Sequence, residues 1–335
     1  MSPGTSGAAD DADDTDDADE TDETDDKDDK DDQERGMIRH KKLSSLTLNV
    51  SDLARSVAFY RDMVGLDLVE QNDQGEAFLS CNGDHHNLVL VQAQEASFKR
   101  VSFELENEGQ IAVAETVLTA AKVKWTRIEP AECGRLRIAQ GLRLADPTGI
   151  KIELVTGMNS RPGRHFPHPI AITHLSHVVV NVPDFANTLR FYTDVLNFRV
   201  SDYRHEPTGE RYFAFMRCFP NPYHHAFALL AAAKPTFFHV AFHAKTLDDL
   251  MTGRNRLLKA GVTVAPTPGR HMASGSMFQY FADPDGFTVE YTQGMEEFPE
   301  EGARQPRNLD KTYATTDIWE GEKPTNLPNL GRVEV

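Results

Sequence analysis

Apolar and polar residues follow the same order in two long stretches of the chain. Residues 43–62 contain the β-rich run LTLNV, and residues 175–194 contain the similar run VVVNV; each run ends at a turn that contains aspartate. Such runs are typical of strands. After the second run, Phe185, Leu189 and Tyr192 fall at helical spacing. The pattern therefore predicts a strand followed by a helix.

The residues that follow, up to 294, predict more strands and another helix. LDDLMTGRNRLLKAGV has the pattern of an amphipathic helix, and we expect it to end at Gly261, because glycine accommodates the left-handed conformation at a helix end. Each stretch thus predicts a strand, a helix and three strands, and then that set again. The predicted strands that follow the first helix are YFAFMRCF, AFALLAAA, FFHVAFHA and the two runs in MFQYFADPDGFTVEYT.

An internal repeat organises the chain. ADPTGIKIELVTG at 145–157 matches ADPDGFTVEYTQG at 282–294, in the same order as the earlier match. Two marker pairs in one order are very unlikely by chance. They predict two tandem domains, at 37–157 and 172–294. The segment at 158–171 has the proline, glycine and polar content of a linker.

Both ends of the chain depart from this pattern. Residues 1–36 hold 17 of the 52 acidic residues and almost no apolar ones, so we expect a disordered acidic tail. It has neither the basic start nor the apolar core of a signal peptide. Residues 295–335 are rich in proline and asparagine, which predicts an extended C-terminal arm that wraps the surface or a neighbouring subunit.

Composition excludes several classes of partner. The net charge of −17 belongs mostly to the tail, and no basic stripe suggests nucleic acid. No apolar stretch approaches the ~20 residues that a membrane span needs. Cys81, Cys133 and Cys218 are odd in number and far apart, which suits a reducing cytoplasm. We therefore expect a cytoplasmic protein that binds neither nucleic acid nor membrane.

Histidine is concentrated in the second copy, where ten of the thirteen histidines follow residue 160. His177, His239 and Glu290 fall on three separate predicted strands. Two histidines and one carboxylate form the ligand set of non-heme iron(II) sites, which leave positions open for substrate and oxygen. A lone strand histidine is more often a hydrogen-bonded core residue.

The first copy favours the metal interpretation. It has Ser45 and Arg100 where the second copy has its two histidines, and Glu153 at the position of the glutamate. The scaffold is thus built without the imidazoles in one half, which predicts a metal-free first domain. In the second copy, His225 or His224, with His271 and Tyr280, could supply the acid/base groups needed beside a bound phenol.

Four segments give this chain a family resemblance: LSHVVVNVPDFANTLRFYTDVLNF, NPYHHAFALL, FFHVAFHAKTLDDL and GRHMASGSMFQYFADPDGFTVEY. Residues 43–294 resemble the type I extradiol dioxygenases of the vicinal oxygen chelate superfamily, such as the 2,3-dihydroxybiphenyl and catechol dioxygenases. The resemblance implies an α+β fold of two tandem domains. Each domain would contain paired βαβββ modules that form a partly open barrel around a cavity.

The resemblance also implies roles for individual residues. His177, His239 and Glu290 match the metal ligands. The second histidine of the family's paired segment is the acid/base residue and falls on His225, with His224 as the alternative because loop length shifts the match by one residue.

The pocket histidine and tyrosine of the family fall on His271 and Tyr280. One departure is Gln279, at a position that is usually apolar; strand alternation turns it away from Tyr280. Four aromatic residues belong to the core or the pocket: Phe213, Phe215, Phe227 and Phe237.

The implied activity is extradiol cleavage of a catechol-type diol by O2 at Fe(II), with Mn(II) possible, in a homo-oligomer. Which catechol or hydroquinone is the substrate stays open. One alternative is a glyoxalase-type metal isomerase or lyase, which would draw ligands from both related modules; Ser45 and Arg100 argue against it, and Glu153 keeps it open. The other is a non-catalytic binding protein, which would not need the clustered histidines.

Overall fold

The computed structural model describes residues 36–161 and 168–334. The predicted acidic tail lies outside the described residues except for Gly36, and so does part of the predicted linker, at 162–167. The strands of the described residues form one eight-stranded and one nine-stranded sheet.

The eight-stranded sheet contains the first sequence copy, in the strand order β2-β3-β4-β1-β5-β8-β7-β6. The central strands β1 and β5 pair antiparallel. The strands are β1 (His40–Val50), β2 (Asp67–Gln71), β3 (Glu76–Ser80), β4 (Leu88–Gln92), β5 (Ser97–Leu105), β6 (Trp125–Arg127), β7 (Gln140–Ala145) and β8 (Lys151–Thr156). The helices are α1 (Leu53–Phe59), which continues into a π-helical turn (Tyr60–Val64), α2 (Gln110–Ala120) and α3 (Pro130–Leu136).

The nine-stranded sheet contains the second copy, in the order β14-β15-β16-β13-β9-β12-β11-β10-β17. Its strands are β9 (Ile172–Val182), β10 (Phe198–His205), β11 (Arg211–Cys218), β12 (Phe227–Ala231), β13 (Thr236–Ala244), β14 (Gly269–Arg270), β15 (Met277–Ala282), β16 (Thr288–Gln293) and β17 (Arg307–Asp310). The helices are α4 (Phe185–Arg190), which continues into a π-helical turn (Phe191–Val195), α5 (Leu247–Lys259) and α6 (Tyr313–Thr316).

Each sheet contains two βαβββ modules whose first strands meet at its centre, and the second sheet has β17 as an additional edge strand. In the first sheet, β1 is followed outward by β4, β3 and β2, and β5 by β8, β7 and β6. The second sheet repeats this order around β9 and β13. The predicted α+β fold of paired modules is thereby confirmed, with open sheets and not closed barrels.

Helix α5 shows how local sequence sets an element. Thr246 and Asp249 form a capping box at its start, which satisfies backbone N–H groups that have no partner within the helix. After the helix, Gly261 has a φ of +73°, a left-handed conformation that glycine adopts readily. The helix therefore ends where the sequence predicted.

Two tyrosines at corresponding positions of the repeat, Tyr60 and Tyr192, form hydrogen bonds between its two copies. The Tyr60 hydroxyl donates to Asp283 Oδ2 at 3.0 Å, and the Tyr192 hydroxyl donates to Asp146 Oδ2 at 3.3 Å. Each tyrosine follows the helix of one copy, and each aspartate belongs to the DP turn of the other. One hydrophobic core contains buried residues from both copies.

The C-terminal arm lies against the sheet of the second copy. Its strand β17 pairs parallel with β10, and Arg307 lies opposite Asp202. The short helix α6 follows, and Thr315 and Thr316 in it line a cavity on the same sheet. The arm thus forms part of the surroundings of the site described next.

Candidate metal centre and active site

Strand register brings the predicted ligands into one row across the second sheet. His177 of β9 lies opposite Ala241 of β13, which lies opposite Glu290 of β16, and Glu290 lies opposite Tyr280 of β15. His239 is two residues before Ala241 without an intervening register shift, so its side chain lies on the same face. Residues far apart in sequence are therefore neighbours on one face.

The three predicted ligands converge at their side-chain ends. His177 Nε2 lies 3.1 Å from His239 Nε2 and 3.4 Å from Glu290 Oε2, and His239 Nε2 lies 3.1 Å from the same carboxylate oxygen. Metal–ligand bonds of about 2.1 Å that meet at right angles place neighbouring donor atoms about 3.0 Å apart. The three donors thus fit one face of an octahedral metal site.

The hydrogen bonding of this cluster also fits a cation. Both carboxylate oxygens of Glu290 are buried, and neither accepts a hydrogen bond of normal geometry in the described part of the chain. A buried carboxylate without donors is costly unless a cation neutralises it. Burial, opposed by Glu290, lowers the pKa of His177 to about 4, so its imidazole is neutral at pH 7, as a metal ligand must be.

His225 lies beside this cluster, and its ring centroid is 4.2 Å from that of His177. Its Nδ1 is 3.1 Å from His224 Nδ1, and His224 Nε2 is 2.8 Å from Asp202 Oδ2. Because the Asp202 carboxylate is an acceptor, His224 holds its proton on Nε2 and accepts at Nδ1. His225 then donates from Nδ1, which leaves its Nε2 as the basic atom.

Arginines of the C-terminal arm hold Asp202. Arg304 contacts both of its carboxylate oxygens, at 2.9 and 3.0 Å, and Arg307 Nη2 donates to Oδ2 at 2.6 Å. Burial would raise the pKa of Asp202, but His224 and the two guanidinium groups outweigh burial and hold that pKa well below its usual range. Asp202, His224 and Glu296 have donor atoms close enough to share a metal. Because two guanidinium groups already neutralise Asp202, we assign this group a positioning role.

Tyr280 and His271 form a second pair near the ligands. Tyr280 Oη lies 3.3 Å from His271 Nε2, and His271 Nδ1 lies 2.7 Å from the carbonyl oxygen of Thr316. The carbonyl oxygen accepts a hydrogen bond from the protonated Nδ1, so Nε2 is the acceptor for the tyrosine hydroxyl. Burial and Glu290 raise the pKa of Tyr280, which keeps the phenol protonated and able to donate. The side chain of Gln279 instead accepts a hydrogen bond from Arg254 of α5.

These groups line a cavity of about 480 Å³. His177, His239, His225, His271 and Tyr280 all contribute to its wall, whereas His224 does not. Of the four predicted aromatic residues, two line the cavity and two belong to the core: Phe213 and Phe215 to the former, Phe227 and Phe237 to the latter. The larger apolar and aromatic residues of the wall are Val179, Tyr212, Phe213, Phe215, Leu230 and Phe238.

The first sheet has a corresponding row of different composition. Ser45 lies opposite Ser102, Ser102 opposite Glu153, and Glu153 opposite Arg143, while Arg100 is two residues before Ser102. Glu153 accepts hydrogen bonds from the Ser102 hydroxyl at 2.6 Å and from Arg143 Nε at 2.8 Å. Arg100 Nε lies 3.1 Å from the same carboxylate. Guanidinium groups thus neutralise the carboxylate here, which supports a metal-free first half.

Sequence reasoning missed part of this symmetry. His85 and His86 precede β4 as His224 and His225 precede β12, and their Nδ1 atoms are 3.2 Å apart. His85 Nε2 lies 3.3 Å from Glu70 Oε2, as His224 lies near Asp202. The paired histidines in both copies were a visible signal. The carboxylate partners were not, because strand register and the arm bring them together.

Comparisons with known proteins agree with the fold. The family model of the Glyoxalase/Bleomycin resistance protein/Dioxygenase superfamily matches residues 42–154 and 174–291. An iron-dependent extradiol dioxygenase of Rhodococcus jostii is 24% identical and covers 75% of this chain and 88% of its own. A biphenyl-2,3-diol 1,2-dioxygenase of Paraburkholderia xenovorans is 26% identical, with 75% and 87% covered.

A solved structure has a similar fold. The Mn(II)-bound glyoxalase from Novosphingobium aromaticivorans superposes with a TM-score of 0.78 at 26% identity and covers 89% of this chain and 97% of its own. Both sequence copies therefore have counterparts of known architecture. The chain belongs to the Glyoxalase/Bleomycin resistance protein/Dioxygenase superfamily, and extradiol dioxygenases are among its relatives over most of its length.

Proposed function

We propose that this protein is an extradiol ring-cleavage dioxygenase, which uses O2 to open the ring of a catechol-type diol beside its two hydroxyl groups, in the degradation of aromatic compounds. The convergence of His177, His239 and Glu290, with the two histidines in the wall of a largely apolar cavity, supports this function most strongly. We assign these residues to non-heme Fe(II). Mn(II) is compatible with the same donor set.

The metal, when bound, supplies a Lewis-acidic and redox-active centre that favours the ionised diol and has open positions for substrate and O2. Tyr280 and His271 are placed to hydrogen-bond and orient the diol. His225 Nε2 is the basic atom of a neutral imidazole and is placed to accept and return a proton. The apolar wall excludes water from the reacting groups.

A glyoxalase-type activity is the second candidate in this superfamily, since the Novosphingobium neighbour is described as a glyoxalase. The first-half row of this chain offers no imidazole at Ser45 or Arg100. His225 and Tyr280 also match the acid/base and orienting needs of a bound diol. The site therefore favours the dioxygenase.

Metal reconstitution tests the proposal. The protein would be loaded anaerobically with iron(II), then mixed with O2 and a panel of catechols that includes 2,3-dihydroxybiphenyl, while O2 consumption and the yellow ring-opened product are recorded. We expect rapid yellowing by the wild type and none by His239→Ala. His243→Ala is the matched control, because His243 lies on the same strand but lines a different cleft.

Two results would count against the proposal. If iron binds and no catechol is consumed, the activity is wrong, and hydroquinones and glyoxalase substrates become the next panel. If no metal binds, the assignment of the three ligands is wrong as well.

The remaining expectations concern location and partners. Among the described residues, no helix is long and apolar enough to cross a membrane. Cys81, Cys133 and Cys218 are all buried. A cytoplasmic location, a homo-oligomeric state and the absence of a nucleic-acid partner stay predictions, and a catechol with O2 is the reactant pair that the proposed function requires.

A further inference from the structure

Arg204, near the end of β10, places a positive charge in the wall of the cavity. Its Nη2 donates to the carbonyl oxygen of Thr312 at 3.0 Å and to the Thr315 hydroxyl at 3.1 Å. Its Nε is buried and has no acceptor among the described residues. A guanidinium group has five N–H donors, so this one has donor capacity left for a ligand.

No carboxylate of the described chain neutralises Arg204 at ion-pair distance. Arg304 and Arg307, by contrast, both contact Asp202. Asp202 and Glu206 are each two positions from Arg204 in sequence. Glu206 also lines the cavity, but its carboxylate lies 2.5 Å from Lys311 Nζ. The cavity wall on this side therefore has an excess of positive charge.

Partial burial of the Arg204 guanidinium makes its positive charge unfavourable. It lowers the pKa of Arg204, because it removes water from the charged form, and only Tyr212 and Tyr280 act in the opposite direction. The charge also acts at the diol side of the cavity, where it opposes the burial that raises the pKa of Tyr280. A half-buried guanidinium whose Nε is buried is best compensated by an anion, and no carboxylate of the described residues lies at ion-pair distance from it.

We propose that Arg204 binds a carboxylate substituent of the substrate, so that the enzyme prefers catechols with an acidic side chain over neutral ones. A carboxylate matches the planar donors of a guanidinium group and would form charge-assisted hydrogen bonds with it. Arm residues Thr312 and Thr315 orient Arg204 for this contact. This inference rests on the proposed function, because it names the substrate class of the same cavity.

A different role for Arg204 would give a different pattern. If its charge acted only on the ionised diol, it would favour acidic and neutral catechols equally. The substrate pair that separates these roles is a catechol with a carboxymethyl group and the methyl ester of the same compound, which has nearly the same shape and no charge.

The test measures kcat/KM for the acid and the ester, and their Kd values for the iron(II)-loaded protein without O2. We expect the wild type to prefer the acid by about 10- to 100-fold, the range for hydrogen bonds to charged groups. Arg204→Met should lose most of this ratio, and Arg204→Lys should keep part of it. Arg199→Met is the matched control, because Arg199 is exposed on the same strand, and it should keep the wild-type ratio.

Each outcome decides one of the two claims. Equal preference in the wild type, or an equal loss for acid and ester in Arg204→Met, overturns the role of Arg204. Iron content and circular dichroism of each variant show whether it is folded. If neither compound is cleaved while another catechol of the panel is, the substrate class proposed for Arg204 is wrong. If no catechol of the panel is cleaved, the proposed function fails, and the anaerobic Kd ratio alone then decides whether Arg204 recognises the carboxylate.

Discussion

The two halves of this molecule have the same sheet order and use the same row of positions in opposite ways. In the first half, Glu153 is held by Ser102 and Arg143. In the second, Glu290 faces His177 and His239, and its oxygens lack hydrogen bonds of normal geometry in the described chain. The fold therefore does not by itself make a metal site. A few side chains in the row decide whether protein cations or a metal neutralise the carboxylate.

The connection between two outer strands makes a second difference. In the first half, α3 joins β6 to β7 and packs Cys133 and Leu136 against a small apolar cluster that includes Phe78. In the second half, a shorter segment joins β14 to β15 and contains His271. Phe215 of β11 lies opposite Ala228 of β12, as Phe78 of β3 lies opposite Val89 of β4, and Phe215 lines the cavity. One half thus fills with a helix the space that the other leaves for a ligand.

The largest expected difference concerns metal binding by the two glutamates. Glu290→Gln removes the anionic ligand and should weaken iron(II) binding at least about 100-fold, since even residues that only support metal ligands contribute 10- to 100-fold. Glu153→Gln should leave iron content unchanged, although it removes the carboxylate partner of Arg100, leaves Arg143 paired with Glu132 alone and lowers stability. Iron per chain after gel filtration measures both. Equal iron loss in the two variants would contradict the comparison.

The paired histidines give the next largest effect. His225→Ala should lower kcat by about 100- to 10,000-fold, the usual contribution of a positioned acid/base group, while iron content stays near that of the wild type. The matching change in the first half, His86→Ala, should leave kcat within about twofold. If iron content falls together with kcat in His225→Ala, the residue binds or shields the metal and our assignment of its role is wrong.

A smaller effect is expected when the carboxylate that contacts a histidine pair, Asp202 in the second half or Glu70 in the first, is replaced by an amide. Asp202→Asn weakens the preference of His224 for a proton on Nε2, and we expect kcat to fall about tenfold with a shifted pH profile of kcat and unchanged iron content. Glu70→Gln is the control in the first half and should change neither quantity. A fall in kcat without any shift of the pH profile would indicate a merely structural role for Asp202.

The smallest effect concerns stability at acid pH. Burial, with His85 and two arginines nearby, lowers the pKa of His86 to about 3. At pH values between 3 and about 6.5, His86 is protonated in the unfolded chain and neutral in the folded one. The free energy of unfolding therefore falls as the pH is lowered through this range. His86 should account for about 2 kcal/mol of the stability lost between pH 7 and pH 5.

Denaturant unfolding of wild type and His86→Gln at the two pH values isolates this contribution. The variant should lose about 2 kcal/mol less than the wild type on acidification. The same pH dependence in both proteins would show that His86 is already protonated, or accessible to water, in the folded state.

Much of the fold could be predicted because the pattern of strands and helices occurs twice in the sequence. The strand runs, the helix that ends at Gly261 and the order of the modules are local patterns of apolar periodicity and turn residues. The three proposed ligands were also recognisable, because imidazoles in the second copy stand against Ser45 and Arg100 in the first. Such differences between related copies need no knowledge of tertiary contacts.

The rest depends on contacts that periodicity does not encode. The arm has no regular apolar pattern, so sequence did not predict that β17 would add to the sheet or that Arg304 would hold Asp202. The role we propose for Arg204 depends on which donors remain unused after α6 has packed beside it. Burial and partner choice at these residues are properties of the assembled structure.

Anomalous X-ray diffraction at the iron absorption edge, from anaerobic crystals of the iron(II)-loaded protein, tests the central claim most directly. We expect one strong anomalous peak per chain, between His177 Nε2, His239 Nε2 and the Glu290 carboxylate, and none beside Glu153. A peak at the first-half row or at Asp202, or the absence of a peak at Glu290, would contradict the account.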